Sequence, residues 1–153
     1  MSIHVFVIHG PNLNLLGERE PATYGSTTLE ELNHMLVQRG RELGVKMRIF
    51  QSNSEGSIID AIHEGRSWAH GILINPGALT HYSYSLRDAL AAVTKPTIEV
   101  HLSDIHSREP FRKISVIKDI CIDQIYGHGI QSYIIGLERL ITHLESRSNH
   151  EQL

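Results

Sequence analysis

The sequence predicts an α/β fold in which helices cover both faces of a parallel sheet, and three observations favour it. Short apolar, β-branched runs alternate with amphipathic helical segments, a pattern typical of right-handed crossovers between parallel strands. The 153 residues suffice for one domain and leave no room for two independent cores. A hydrophobic fraction of 41% and a charged fraction of 20% allow a buried core to form. We therefore expect residues 1–153 to form one flavodoxin-like domain, a doubly wound sheet of about five strands.

The predicted strands are apolar runs bounded by glycine, proline or asparagine. Gly10 and Pro11 end the first run, and Asn75, Pro76 and Gly77 end the third. In the second run apolar residues alternate with basic ones, as in a strand with one solvent-facing side. In chain order, the predicted strands cover residues 3–8, 45–49, 71–74 and 97–102, with a fifth inside 114–125.

Serine and threonine caps indicate where the helices begin. Thr28 lies three residues before Glu31 in a capping box, and Ser54 and Ser83 each precede an apolar helical face. The predicted helices begin at residues 28, 54, 83 and 130, and the last is expected to run to residue 145. The polar tail, about residues 147–153, is expected to fray.

Composition and charge exclude several classes of protein. A formal charge of −3 and a pI of about 6.4 argue against nucleic acid or an anionic membrane as partner. No apolar run approaches the roughly 18 residues of a membrane span, and the N-terminus lacks the pattern of a signal peptide. The single Cys121 excludes an internal disulfide and fits a reducing compartment. We therefore expect a cytoplasmic protein.

The segment between the first strand and the first helix, residues 10–27, is a long polar loop. It lacks the Gly-Lys-Ser/Thr of a phosphate-binding loop and the GxGxxG of a dinucleotide site. Long loops without apolar periodicity are usually either functional or disordered, so two interpretations stay open. The loop is a surface excursion, or it is a mobile lid carrying Arg19 and Tyr24. A guanidinium beside a phenol favours the phenolate, which would make Tyr24 a general base.

The third strand ends at Asn75, whose amide could hold a hydroxyl group or a water molecule. A turn residue before proline is an equally good interpretation. His81, at the start of the next helix, is either a substrate ligand or a surface histidine. Arg87 and Asp88, one turn further on, are expected to form a solvated pair on the helix surface.

The fourth strand carries the most informative spacing. Glu99 and His101 are two residues apart, so their side chains are expected on the same face of the sheet. A carboxylate beside a histidine fixes its tautomer and favours its protonated form, which suits a general acid. An ion pair at a sheet edge is the structural alternative. Ser103 follows with a hydroxyl group. Further along, either Arg108 or Arg112 could anchor an anion.

The 11 histidines do not predict a metal site. They are scattered along the chain, and neither an HxH nor an HExxH motif is present. We therefore expect no metal ion.

Taken together, the motifs resemble those of type II 3-dehydroquinate dehydratases, in order and spacing over nearly the whole chain. They are GPNLNLLG at 10–17, Arg19 with Tyr24, NPGA at 75–78 and EVHLS at 99–103. The resemblance implies a cofactor-free hydro-lyase that dehydrates 3-dehydroquinate to 3-dehydroshikimate. That reaction would serve the shikimate pathway of aromatic amino acid biosynthesis or quinate catabolism. It also implies a homododecamer built as a tetramer of trimers, and no nucleic-acid or membrane partner.

The resemblance also implies roles for individual residues. Tyr24 would be the base, Arg19 would keep its phenol ionised, and His101 would be the acid, oriented by Glu99. Asn12 and Asn75 would hold the substrate and a water molecule near the enolate oxygen. Substrate-binding positions of the family correspond to His81, Asp88, Leu102, Ser103 and Arg112, with Asp88 expected at a subunit contact. Positions that depart from the family's usual residues are Asp104, Pro110 and Lys113.

Two other functions use the same fold. A flavin- or nucleotide-binding module would need a phosphate-gripping loop after the first strand, where this chain has asparagines and leucines. A descendant that assembles without catalysis would be expected to lack Tyr24, Arg19 or His101, and all three are present.

Overall fold

A parallel sheet forms the centre of the molecule, as the sequence predicts. The structure is a computed structural model that describes residues 2–18 and 20–151, with the backbone alone at 24 and 151. In these residues the strands are β1 His4–His9, β2 Lys46–Gln51, β3 Gly71–Asn75, β4 Thr97–Val100 and β5 Asp123–Ile125. Their order is β2-β1-β3-β4-β5, and every neighbouring pair is parallel. This is the flavodoxin-like strand order, which confirms the predicted fold class.

The helices begin where the sequence caps predict. The described helices are α1 Pro21–Tyr24, α2 Leu29–Glu42, α3 Glu55–Gly65, α4 Tyr84–Val93 and α5 Gln131–Glu151. The hydroxyl groups of Thr28, Ser54 and Ser83 accept backbone N–H groups from the first turns of α2, α3 and α4. Each cap satisfies a helix-terminal donor that would otherwise lack a partner. None of the described helices is long and apolar enough to cross a membrane.

The alternation of side chains along the strands produces two hydrophobic layers. Val5 and Val7 of β1 face a layer formed with α2 and α5, which contains Leu36 and Leu137. The alternate residues of β1 face a second layer, formed with α3 and α4. Because a strand buried on both sides has no polar face, β1 is apolar between its terminal histidines and β3 is apolar up to Asn75.

Two predicted boundaries differ from the structure. The fourth strand ends at Val100 rather than at 102, because its partner β5 is only three residues long and ends at Ile125. The backbone N–H of His101 still donates to the carbonyl of Ile125 (2.9 Å), so the chain stays extended for one more residue. The last helix is expected to end at 145, but α5 continues through the polar segment 146–151. No glycine or proline interrupts that polar segment, so the helix extends into solvent.

Candidate active site

The predicted site residues meet at the carboxyl ends of β1, β3 and β4, where a cleft of about 90 Å³ lies. Ligands of doubly wound sheets bind at this edge. Predicted residues that line the cleft are Asn12, Asn75, His81, His101, Leu102, Ser103 and Arg112. The cleft shares Leu102, Ser103 and Arg108 with an adjoining cavity of about 530 Å³ that Thr23 and Gly25 also line.

Close backbone contacts between two loops shape one wall of the cleft. The N–H of Gly10 donates to the carbonyl of Asn75 (2.7 Å), and a Cβ at Gly10 would lie 2.5 Å from the carbonyl oxygen of Pro76. Only glycine fits there. Asn12 has a φ of 71°, a left-handed conformation that asparagine tolerates, and its N–H donates to Oδ1 of Asn53 (2.8 Å).

Glu99 and His101 form a hydrogen-bonded pair beneath the cleft, which confirms that they share one face of the sheet. Nε2 of His101 lies 2.6 Å from Oε2 of Glu99, and the two residues are 5% and 0% exposed. Since the carboxylate can only accept, Nε2 carries the proton. The other ring nitrogen, Nδ1, makes no hydrogen bond to the described residues, and His101 lines the cleft.

Two hydroxyl groups, which the sequence analysis missed, complete the surroundings of Glu99. Thr80 donates to Oε2 (2.5 Å) and Ser115 donates to Oε1 (2.8 Å). Burial alone would raise the pKa of Glu99, but the hydrogen bonds from His101, Thr80 and Ser115 outweigh it, so the pKa lies below its ordinary value. Glu99 is therefore ionised at neutral pH, and it fixes the Nε2–H tautomer of His101.

Asn75 both closes a turn and lines the cleft. The residue is 3% exposed, and Oδ1 accepts the N–H of Gly77 (3.1 Å). With Oδ1 held by the backbone, the buried amide can present its N–H groups to an oxygen atom in the cleft.

His81 is held as a neutral hydrogen-bonding group. Its Nδ1–H donates to the carbonyl of Ile114 (2.7 Å), which leaves Nε2 as an acceptor. Burial lowers the pKa of His81 below its ordinary value, and the nearby His101 and Arg112 act in the same direction. A neutral imidazole of this kind suits a substrate hydroxyl group.

Two arginines line the cleft and give it positive charge. Nε of Arg112 lies 2.5 Å from Oε2 of Glu109, and Nη1 of Arg108 lies 3.3 Å from the hydroxyl of Ser103. Arg108 also lies 3.8 Å from the carboxylate of Glu20, at the start of α1, so it connects the segment after β4 with the loop that follows β1. By sequence either Arg108 or Arg112 could anchor an anion, and in the structure Arg108 lines both cavities.

Three predicted residues are not among the described residues that line the cleft. Arg19 lies outside the described residues, and for Tyr24, the last residue of α1, the backbone alone is described. Asp88 is exposed on α4 and makes no hydrogen bond or ion pair to a described residue. The predicted pairing of Asp88 with Arg87 is wrong, because Arg87 forms a bidentate ion pair with Asp119.

No group of three or more histidine, cysteine, aspartate or glutamate side chains within 2–18 and 20–151 could hold a metal ion. The cleft instead combines the buried Glu99–His101 pair, the amide of Asn75 and the positive charge of Arg108 and Arg112. Such a set can protonate a leaving oxygen atom and stabilise a developing oxyanion in an anionic substrate.

Comparison with known proteins shows the family. Residues 3–141 match the model of the family described as dehydroquinase class II. A 3-dehydroquinate dehydratase from Nostoc sp. is 54% identical over 143 residues, which cover 94% of this chain and 97% of the relative. One from Dictyoglomus turgidum is 55% identical and covers 90% and 95%.

Solved structures of type II dehydroquinases are also similar to this chain. The type II dehydroquinase from Butyrivibrio crossotus superposes with a TM-score of 0.89 at 45% identity, covering 91% of this chain and 97% of its own. The type II dehydroquinase from Propionibacterium acnes gives a TM-score of 0.88 at 40% identity, covering 93% and 98%. The resemblance seen in the sequence motifs is thereby confirmed, and this chain belongs to the class II dehydroquinase family.

Proposed function

We propose that this chain catalyses the elimination of water from 3-dehydroquinate to give 3-dehydroshikimate. The observation that carries the proposal is the buried Glu99–His101 pair at the cleft, 2.6 Å apart, in a chain of the class II dehydroquinase family. Elimination through an enolate needs a base at one carbon, donors at the ketone oxygen and an acid at the leaving oxygen. The chain offers a side chain for each of these roles.

The first step removes a proton from the carbon next to the ketone. Tyr24, with its phenolate favoured by Arg19, takes the proton, and the electrons of the C–H bond move to the ketone oxygen to form an enolate. Thr23 and Gly25, the neighbours of Tyr24, line the cavity that adjoins the cleft, which supports this assignment. Asn12 and Asn75 stabilise the enolate oxygen, directly or through a water molecule, with the N–H groups of their amides.

The second step expels the hydroxyl group. The enolate reforms the ketone, a carbon–carbon double bond forms in conjugation with it, and the C–O bond breaks. Because the Nε2–H of His101 is held by Glu99, the proton that His101 gives to the departing oxygen is a second one, carried on Nδ1, and the products are water and a conjugated enone. Glu99 stays ionised and holds the ring of His101 in the orientation that allows this transfer.

The remaining cleft residues orient an anionic, polyhydroxylated substrate. The substrate carboxylate binds to the backbone and hydroxyl groups at Leu102 and Ser103, and the guanidinium of Arg112 supplies positive charge. His81 accepts from a ring hydroxyl through Nε2, since its Nδ1–H is already used by the carbonyl of Ile114.

The purified chain is expected to convert 3-dehydroquinate to a product with enone absorbance, at the same rate with or without EDTA. The reason is that each chemical role is filled by a side chain and not by an ion. The measurement is initial rate by ultraviolet absorbance after exhaustive chelation. Loss of activity that a divalent ion restores would contradict the mechanism, and a yellow purified protein would favour a flavin-binding module instead.

We also propose that the chain assembles into a dodecamer of four trimers in which Asp88 reaches a neighbour's cleft. The carboxylate of Asp88 has no ion-pair partner among the described residues, and large exposed apolar side chains lie nearby. They are Tyr82 (62% exposed), Tyr84 (67%), Phe111 (51%) and Ile114 (59%). A cluster of this kind indicates a protein contact.

Light scattering is expected to give the mass of twelve 17.2 kDa chains, about 206 kDa. Co-expression of His101→Ala with Asp88→Asn provides a test of the shared site. If one subunit supplies His101 and its neighbour Asp88, random mixing restores roughly a quarter of the sites. Mixed assemblies no more active than the two variants assayed separately, or a stable and fully active monomer, would contradict the proposal.

A further inference from the structure

Two hydroxyl groups bind the carboxylate of Glu99 from the side away from the substrate, and neither residue is among the described residues that line the cleft. Thr80 is fully buried and donates to Oε2 of Glu99 (2.5 Å). The same oxygen atom accepts Nε2–H of His101 (2.6 Å). Ser115, which is partly buried, donates to Oε1 (2.8 Å). The fully buried carboxylate therefore has donors on both of its oxygen atoms.

The proton of each hydroxyl group is directed to Glu99. Oγ of Ser115 accepts the backbone N–H groups of Ile117 (3.3 Å) and Lys118 (3.1 Å). Both acceptor sites on this oxygen atom are then taken, so the proton of Ser115 is left for Glu99. The hydroxyl of Thr80 lies 3.0 Å from the same Oγ, but because no acceptor site remains there, its proton also goes to Glu99.

This arrangement favours one orientation of an ionised carboxylate. A protonated Glu99 would have to donate to a group that already donates to it, and at least one of the three hydrogen bonds would break. The backbone holds the two hydroxyl groups side by side, because the N–H of Val116 donates to the carbonyl of Thr80 (2.7 Å). A buried polar network in which every member has its partners specifies one arrangement.

We propose that Thr80 and Ser115 are positioning residues for the acid step. They hold the carboxylate of Glu99 against Nε2–H of His101, so that the ring presents Nδ1 to the leaving oxygen atom. The inference rests on the proposed function and deepens it. Nδ1 makes no hydrogen bond to the described residues, so the orientation of the ring depends on its Nε2 side. Removal of the α-proton by Tyr24 does not require either hydroxyl group.

The test compares Thr80→Val with Thr80→Ser in dehydration and in exchange of the α-proton. Valine keeps the shape of threonine but cannot donate, and we expect kcat for dehydration to fall roughly 10- to 100-fold with KM changed by less than about threefold, since a misplaced acid affects the transition state most. Exchange of the α-proton of bound substrate with solvent should stay within about twofold of the wild-type rate, because enolate formation requires the base and not the acid.

The hydroxyl group itself is tested by rescue and by a second variant. Thr80→Ser keeps the donor, so kcat should return to within about threefold of the wild-type value. Ser115→Ala removes the donor to Oε1 and should again lower dehydration while exchange continues. The two sites are therefore tested independently, whatever the stability of either variant.

Thr97→Val is the matched control, because it removes a buried hydroxyl group from the opposite end of β4. Thr97 is 2% exposed, and its hydroxyl donates to the carbonyl of Lys95 (2.9 Å). This variant should keep kcat within about twofold of the wild-type value. If Thr80→Val matches Thr97→Val in kcat, if exchange falls together with dehydration, or if Thr80→Ser does not recover activity, the positioning role is wrong.

A further measurement does not depend on turnover. The Nε2–H of His101, in a short hydrogen bond to a carboxylate, should give a downfield proton resonance by NMR that is absent in His101→Gln. We expect this resonance to shift or broaden in Thr80→Val, because the carboxylate loses its fixed position, and to stay unchanged in Thr97→Val. An unchanged resonance in Thr80→Val would overturn the positioning role. Failure of the proposed function is distinct, because the wild-type chain would then form no enone from 3-dehydroquinate.

Discussion

Replacing Tyr24 with phenylalanine is expected to lower kcat for dehydration by about two to four orders of magnitude, the usual contribution of a positioned base. The substitution removes the proton acceptor and leaves the aromatic ring in place. Substrate affinity should therefore change little while proton abstraction is lost. The measurement that isolates this step is exchange of the α-proton of bound 3-dehydroquinate with solvent, followed by NMR, and we expect exchange to fall in parallel with kcat.

Tyr126→Phe provides the control for the loss of a tyrosine hydroxyl. The ring of Tyr126 packs edge-on against His106, and its hydroxyl makes no hydrogen bond to the described residues. This variant should keep kcat within about twofold of the wild-type value, as expected for a change outside the site. Wild-type exchange in Tyr24→Phe would show that another residue is the base, and the interpretation of the lid loop would be wrong.

Replacing His101 with glutamine is expected to separate the two chemical steps. Loss of the acid should lower the rate of dehydration by about two to four orders of magnitude. Exchange of the α-proton should continue, because enolate formation requires the base and not the acid. Glutamine is chosen because its amide N–H can replace Nε2–H as a donor to Glu99, which keeps a buried carboxylate from losing a partner.

His101→Ala is expected to be less stable than His101→Gln, because it leaves Glu99 fully buried with one hydrogen bond fewer. We expect a loss of about 1–3 kcal/mol in the unfolding free energy for alanine and a much smaller loss for glutamine. His106→Gln, in the segment after β4, is the control for replacing a histidine near the site and should leave dehydration almost unchanged. Loss of exchange together with dehydration in His101→Gln would show that His101 is needed before the acid step.

The elements that the sequence predicted correctly are those that neighbouring residues control. The caps Thr28, Ser54 and Ser83 act on N–H groups three residues away, so the starts of α2, α3 and α4 could be read from the sequence. The spacing of Glu99 and His101 fixes a common face, because side chains alternate in extended backbone. Boundaries were less predictable where a partner strand decides them, as at the end of β4.

The surroundings of the site residues could not be predicted in this way. The hydroxyl groups of Thr80 and Ser115 lie 19 and 16 residues from Glu99 in sequence, and Tyr133 lies 124 residues from His9. No local pattern indicates these contacts, although the alternation in β1 that buries Val5 and Val7 could have placed His9 on the same inward face.

The sequence by itself therefore determined which strands and helices form and which chemical groups stand at the strand ends, because these depend on periodicity, caps and short spacing. The tertiary structure decided which side chains hold these chemical groups in place. Packing of α2 and α5 on one face of the sheet brings Asn33 and Tyr133 to His9. On the opposite face, the segment after β4 brings Ser115 to Glu99. Orientation of a side chain requires partners from several directions, and only the packed chain brings such partners together.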